Sequence, residues 1–399
     1  MSFAELALIA LIALLGPLLA LPRAWHLPIV LGELAGGVVL GRTGFGLLHP
    51  ADPTFSFTAD IGFALVMFIA GSHVPVRDAR LHKALPAGVL RAAGVGVVAT
   101  ILAVGLSRAF GTSHAPLYAV LMASSSAALV LPIIDSLHLG GPSVVRLLPQ
   151  VAVADTACIV ALPLVINPAK AGHAALGALA VILAGLVLFV VFRKVEHNGM
   201  RRRLHKLSEA HEFALELRIS LIVLFALAAL AVAGGVSIML AGFTVGLVVA
   251  AVGEPRRLAK QLFALAEGFL APLFFVWLGA SLNLRELGAR PSFILLGLAL
   301  GAGAAVAHVL MVVARQPVSL GLLAGAQLGV PVAAATIGTQ LHVLAPGEAS
   351  AMMLGAIVAI ALAVAGGSVA VRAGLVAPPK APAPAAAPSP SPSSRAGGR

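Results

Sequence analysis

Residues 173–192 read HAALGALAVILAGLVLFVVF, a stretch without a single Asp, Glu, Lys or Arg. A helix needs about 20 apolar residues to cross the hydrocarbon core of a bilayer, so this stretch predicts a transmembrane helix. The rest of the chain has the same character, because 60% of its 399 residues are hydrophobic and only 10% are charged. Soluble proteins carry about 25% charged residues. The sequence therefore predicts an all-α polytopic membrane protein, and the continuous apolar runs exclude the alternating pattern of a β-barrel.

Twelve further apolar runs bring the number of predicted spans to thirteen. The spans lie near 3–21, 27–41, 57–74, 86–106, 115–137, 146–168, 173–192, 213–234, 236–252, 262–283, 292–314, 317–341 and 349–371. One linking span between two sets of six makes the second set enter from the opposite face, as in an inverted-topology repeat. The predicted parts are a first six-span repeat (1–170), a linking span with a basic cytoplasmic loop (171–212), a second repeat (213–375) and a disordered cytoplasmic tail (376–399).

The loop charges predict the orientation. All but five of the 26 Lys and Arg residues fall on one side of the predicted spans, and the exceptions are Arg42, Arg108, Lys170, Arg285 and Arg290. The positive-inside rule then places the N-terminus in the periplasm and the C-terminus in the cytoplasm of a bacterial inner membrane. The net charge of +11 lies in short loops and not in a basic domain, so we expect a lipid bilayer and no nucleic acid as partner.

Spans 5 and 12 carry matching interruptions. Span 5 contains the hydroxyls of Ser124, Ser125 and Ser126 and then Pro132, whereas span 12 contains Gln327, Gly329 and Pro331. Proline removes a backbone hydrogen bond and glycine weakens a helix. Either span alone is compatible with an ordinary kink in a helical bundle. Broken helices at matching positions of two repeats indicate a binding site near the membrane midplane.

Asp155 lies in the middle of span 6, in the stretch VAVADTACIV at 151–160. A charged carboxylate is costly at that depth, so the group favours a bound proton or a bound cation. Na⁺ or K⁺ bound transiently there needs several oxygens, which Thr156, the serines at 124–126 and carbonyls freed by broken helices could supply. The alternative is a structural aspartate that is hydrogen-bonded to a neighbouring helix.

Two other ionisable residues lie inside spans. His308 in span 11 is either a hydrogen-bonded packing residue or a counter-charge to the bound ion, since histidine changes charge near neutral pH. Glu33 in span 2 is interpreted as a helix-interface or cavity-lining residue, because Gly32 and Gly36 give the small-xxx-small spacing of close helix packing.

Several stretches resemble the bacterial monovalent cation:proton antiporter-2 family, the Kef-like branch of the sodium/hydrogen exchanger superfamily. Residues 27–41, LPIVLGELAGGVVLG, are similar to its second span, and residues 63–71, FALVMFIAG, are similar to its third. The most specific match is residues 269–283, FLAPLFFVWLGASLN.

This resemblance implies thirteen spans in two inverted repeats, two crossed broken helices, a homodimer and exchange of Na⁺ or K⁺ for H⁺ by elevator-like alternating access. It places Asp155 on the family's essential aspartate and Ser125 and Ser126 on a conserved polar pair. His308 falls roughly where many members have Lys or Arg. The chain departs from the family at Ala154, His73 and Val330, where polar or acidic residues are usual.

The sequence thus predicts an antiporter and not an enzyme, electroneutral because one carboxyl occupies the centre. No cofactor is expected, since neither a Walker lysine motif nor a dinucleotide loop occurs. An intramembrane enzyme is disfavoured because no paired catalytic carboxylates or metal cluster stand out. The alternative is a transport-incompetent or channel-like homologue that senses ions or scaffolds partners. It is suggested by Ala154, which stands where the family usually has a polar residue.

Overall fold

The computed structural model describes residues 1–21, 29–72, 74, 76–77, 79–198, 213, 215–253, 262 and 264–376. This part of the chain is helical and contains no β-strand, only an isolated bridge between Leu139 and Val376. Its helices are α1 (Phe3–Ala13), α2 (Leu15–Ala20), α3 (Ile29–Leu40), α4 (Pro53–Ser72), α5 (Ala79–Ala109), α6 (Ala115–Ala123), α7 (Ala127–Ser136), α8 (Pro142–Ile166), α9 (Ala171–His197), α10 (Leu215–Ala233), α11 (Ile238–Val252), α12 (Ala271–Ser281), α13 (Leu284–Ala289), α14 (Pro291–Val309), α15 (Val318–Ala324), α16 (Gly329–Gln340) and α17 (Glu348–Arg372).

Eight helices of the described residues are long and apolar enough to cross a membrane. They occupy Pro53–Ser72, Lys83–Ala109, Pro142–Ile166, Pro168–His197, Leu215–Ala233, Pro291–Ala314, Val318–Gln340 and Glu348–Arg372. Shorter apolar helices cover Phe3–Leu19, Ile238–Val252 and Ala266–Ser281. The polytopic helical architecture is therefore confirmed, while the count of thirteen crossings and the inverted repeats stay predictions. His73, residues 199–212 of the basic loop and the predicted tail from residue 377 lie outside the described residues.

Small residues bring several helices into backbone contact. A Cβ on Gly37 of α3 would lie 2.2 Å from the carbonyl oxygen of Val276 in α12, and one on Gly279 would lie 2.1 Å from that of Leu34. The same approach joins α4 to α11, where a Cβ on Gly246 would lie 2.1 Å from the Phe68 carbonyl oxygen. Such close approach is how helices pack where lipid removes the hydrophobic drive for association.

The helices form two groups that meet at α7 and α8. In the first group α4 packs on α11 and α12, and α3 packs on α12. In the second group α5 packs on α6 and α8, and α14 to α16 pack on α17. Helix α9 contacts α8 from one group and α11 from the other, while α4 contacts α7. The interrupted helices therefore lie where the two groups meet.

Candidate functional site

The first interruption separates α6 from α7 at the three consecutive serines. Ser124 adopts an extended backbone (φ −69°, ψ 150°), and its hydroxyl donates to the carbonyl of Leu121 at 2.8 Å. Serine hydroxyls compete for backbone groups in this way, which makes serine a poor residue for a helix interior. All three serines are buried. The break predicted at 124–126 is confirmed, whereas Pro132 lies inside α7 and not at the break.

The second interruption separates α15 from α16 over residues 325–328 and meets the first. The Ser124 hydroxyl is 2.7 Å from Oε1 of Gln327, and the Ser125 hydroxyl donates to the Ala324 carbonyl at 2.7 Å. Gln327 lies in the break itself, while Gly329 and Pro331 form the first turn of α16, where a missing proline N–H costs nothing. The two broken helices thus cross at their breaks, held by side chains about 200 residues apart in sequence.

Asp155 of α8 lies against this crossing. Its side chain is only 7% exposed, and Oδ2 accepts a hydrogen bond from the backbone N–H of Ala127, the first residue of α7, at 2.9 Å. The N-terminus of a helix carries unsatisfied N–H groups and a partial positive charge, so it stabilises a nearby carboxylate. Oδ1 of Asp155 has no hydrogen-bond partner among the described residues. One carboxylate oxygen is therefore fixed by the protein, and the other is available to a proton or cation.

His308 of α14 lies at the C-terminal end of α6, whereas Asp155 lies at the N-terminal end of α7. The side chain is fully buried, and Nε2 is 3.3 Å from the carbonyl oxygen of Ser124, which terminates α6. A ring N–H in that place satisfies a carbonyl at the negative end of the half-helix. Nδ1 has no hydrogen-bond partner among the described residues. His308 thus reaches the crossing, but its hydrogen bond goes to Ser124 and not to Asp155.

Thr156 and Glu33 are the two remaining candidate residues. Thr156 follows Asp155, and its hydroxyl donates to the Ala152 carbonyl one turn earlier at 2.8 Å, which leaves its oxygen lone pairs free to accept or to bind a cation. Glu33 is 4% exposed on α3, where its Cγ would be 2.9 Å from a Cβ on Gly16 of α2. Because α3 packs on α1, α2 and α12, Glu33 lies at a helix interface and is not brought to Asp155.

Glu348, Tyr118 and His114 form a second polar cluster, which was not predicted from the sequence. Glu348 is fully buried, and its Oε1 lies 2.6 Å from the Tyr118 hydroxyl and 2.7 Å from Nδ1 of His114. Glu348 sits at the start of a span and His114 just before one, positions typical of solvated interfacial residues. A pairing across 234 positions leaves no local signal in the sequence.

With this geometry established, the chain can be compared with known proteins. Residues 10–372 match the family model described as "Sodium/hydrogen exchanger, transmembrane". The chain belongs to the sodium/hydrogen exchanger family. The resemblance seen in the sequence is confirmed at the level of this family.

Two relatives in this family are similar over most of the chain. The "Putative Na(+)/H(+) antiporter YjbQ" of Bacillus subtilis is 24% identical over 380 residues, which are 90% of this chain and 61% of that protein. This chain thus spans less than two thirds of the length of YjbQ. The "Probable Na(+)/H(+) antiporter 3" of Methanocaldococcus jannaschii is 23% identical over 342 residues, 81% of this chain and 85% of that protein. Both relatives are called Na(+)/H(+) antiporters, so the assignment to the Kef-like branch was not accurate.

Solved structures show the fold. The sodium proton antiporter MjNhaP1 from Methanocaldococcus jannaschii at pH 8 superposes with a TM-score of 0.64 at 16% identity, covering 92% of this chain and 96% of that one. A second structure of MjNhaP1, from electron microscopy, gives a TM-score of 0.66 at 19% identity with 94% and 97% coverage. The chain therefore has the fold of MjNhaP1.

Proposed function

We propose that this protein exchanges a monovalent cation, Na⁺ or K⁺, for H⁺ across a bacterial inner membrane. The observation that carries the proposal is the Asp155 carboxylate, buried at the crossing of two broken helices with one oxygen fixed by Ala127. Membership of the family and the printed names of YjbQ and MjNhaP1 support the same activity.

Competition for one carboxylate supplies the exchange. A buried carboxylate without a partner ion is unfavourable, so Asp155 holds either a proton or a cation but not both. A hard cation at Oδ1 takes oxygen ligands, and we assign these to Thr156, the serines at 124–126 and the carbonyls of the extended segment. Movement of the group containing α8 against the group containing α4 then exposes the loaded carboxylate to each side in turn.

The stoichiometry, orientation and assembly belong to the same proposal. One carboxyl at the crossing exchanges one proton for one monovalent cation, so transport is electroneutral. A ring N–H of His308 at Nε2 reaches the Ser124 carbonyl, and this hydrogen bond requires no positive charge on the imidazole. The loop charges support a periplasmic N-terminus and a cytoplasmic C-terminus, and the family resemblance supports a homodimer.

We expect Asp155→Asn to abolish exchange, because an amide neither releases a proton nor carries the charge that binds a cation. In inverted vesicles with an established pH gradient, adding Na⁺ or K⁺ dissipates the gradient with the wild type and not with the variant. Asp60→Asn is a matched control, since Asp60 is another carboxyl within a predicted span but lies on α4. Equal responses from the wild type and Asp155→Asn would remove Asp155 from the mechanism.

A second function rests on Ala154. This residue is buried beside Asp155 and supplies no side-chain oxygen, whereas the family resemblance implies a polar side chain there. The competing proposal is a transport-incompetent or channel-like homologue that binds an ion as a signal. The vesicle assay separates the two proposals, because an ion sensor leaves the pH gradient intact and a channel produces a flux that is not coupled to protons.

A further inference from the structure

Glu348 joins the last helix to the outer end of the first broken helix. Its carboxylate accepts three hydrogen bonds: Oε1 from the Tyr118 hydroxyl at 2.6 Å and from Nδ1 of His114 at 2.7 Å, and Oε2 from the Ala345 N–H at 2.8 Å. Glu348 has no solvent exposure, whereas the His114 side chain is 26% exposed. A buried carboxylate is thus connected to the aqueous phase through one imidazole.

The helix held in this way is the one that carries Ser124. His114 is the residue before α6, and the nine residues of α6 make a rod about 14 Å long that ends at the crossing. Because the chain leaves the helix at Ser124, α6 has no covalent continuation as a helix to fix its axis there. A shift of the His114 end therefore moves Ser124 and its contacts with Gln327 and His308.

We propose that His114 and Glu348 are positioning residues for the exchange site, and that the charge on the His114 imidazole couples the proton concentration on that side of the membrane to the geometry of the crossing. This inference rests on the proposed exchange function. Neither residue touches the cation. The imidazolium–carboxylate pair holds α6 in place, and the neutral imidazole leaves only an ordinary hydrogen bond.

The sign of the pH effect follows from the neighbours of His114. The hydrogen bond to Glu348 raises the pKa of His114 above its usual 6.5, and burial opposes this effect. The pair is therefore fully formed below about pH 6.5 and weakens as the pH rises through the raised pKa. Among the described residues, the groups that act on the pair are Tyr118 of α6 and the backbone at Val343 and Ala345, and no Lys or Arg contributes.

The test is the apparent KM for Na⁺ in proteoliposomes that contain the full chain. Counterflow of radioactive Na⁺ is measured with equal pH on both sides, so that no proton gradient drives it. We expect His114→Gln to raise KM about two- to fivefold at acidic pH, the size of a modest ion pair. The ratio of variant to wild-type KM falls to one at alkaline pH, where the wild-type imidazole is also neutral. Taking the ratio cancels proton competition at Asp155.

Two further variants make the test specific. His114→Lys keeps a permanent charge, so its KM matches the wild type at acidic pH and is lower than the wild type at alkaline pH. His342→Gln is the matched control, because His342 is a histidine in the turn before α17 whose ring, among the described residues, bonds to the Gln340 carbonyl alone. Its KM ratio stays at one throughout.

A ratio for His114→Gln that equals one, or that is raised equally at every pH, overturns the inference. The melting temperature read against pH gives a separate readout, in which the wild type exceeds His114→Gln in acid and the difference vanishes in alkali. If the wild type shows no counterflow, the proposed function fails. The melting comparison still decides whether the ion pair between His114 and Glu348 exists.

Discussion

Ser124 connects the first broken helix with both the second break and α14. Its hydroxyl lies within hydrogen-bond distance of the Leu121 carbonyl and of Gln327 Oε1, and its own carbonyl faces His308. Gln327 of the second break and His308 of α14 therefore meet at one serine. Asp155 approaches the same break from α8 through Ala127. The site is built around the ends of the half-helices, where backbone groups lack partners within the helix.

We expect Ser124→Ala to weaken cation binding more than it weakens the fold. The change removes the hydroxyl that lies 2.7 Å from the buried Gln327 Oε1 and 2.8 Å from the Leu121 carbonyl oxygen, and the lost hydrogen bond costs about 1–2 kcal/mol. Because the two broken helices then lose a direct link, the apparent KM for Na⁺ or K⁺ in the vesicle assay rises several-fold.

Ser136→Ala provides the control for this prediction. Within the described part of the chain, the Ser136 hydroxyl bonds only to the Ile133 carbonyl of α7, so its loss leaves the crossing intact. If both alanine variants change KM to the same extent, Ser124 has no special place in the site.

At the scale of the elements, glycines determine how closely α3 and α12 approach. The backbones touch at Gly37 and Gly279, where a Cβ would lie 2.2 and 2.1 Å from a carbonyl oxygen on the other helix. Carbonyl oxygens belong to rigid backbone and cannot move aside like the end of a flexible side chain. The helices must therefore separate if either glycine is replaced.

Gly37→Ala is expected to destabilise the protein by about 1–3 kcal/mol, the usual cost of overpacking a well-packed contact. The comparison is Gly96→Ala on α5, where a Cβ meets no atom within 4 Å. That substitution gains up to about 1 kcal/mol of helix propensity. Melting temperatures in detergent should fall for Gly37→Ala and hold or rise for Gly96→Ala, and a reversed order would contradict the packing argument.

At the scale of the whole molecule, two groups of helices meet at α7 and α8. The group with α4, α11 and α12 contributes none of these hydrogen bonds, whereas α6 to α8 and α14 to α16 hold the crossing and Asp155. In the proposed mechanism, an ion held by Asp155 would travel with this group, and relative movement of the two groups would change which side of the membrane reaches it.

We expect exchange by the assembled transporter to be electroneutral. One proton exchanged for one monovalent cation moves no net charge, so the rate and the reversal point of Na⁺ flux in proteoliposomes do not respond to an imposed membrane potential. A net charge would alter the driving force by about 2.3 kcal/mol per 100 mV. A flux that reverses with the potential, at fixed ion gradients, would contradict the single-carboxyl stoichiometry.

Much of the fold was predictable because its signals are local. Apolar runs of span length identify the helices, and Ser124–Ser126 marks a break because serine side chains compete for backbone hydrogen bonds within a few residues. Asp155 stood out because an acid within an apolar span is costly wherever the span lies. Pro132 was a less reliable marker, since the helix continues through it.

Local sequence patterns are enough to predict a helical membrane protein, the break at the three serines and an acid inside an apolar run. The contact between Ser124 and Gln327, the cap that Asp155 forms on α7 and the position of Glu33 at another interface emerge from helix packing. It also paired His114 with Glu348. The reason is physical: apolarity and helix-breaking act between near neighbours in the chain, whereas these hydrogen bonds depend on helix packing that joins residues up to 234 positions apart.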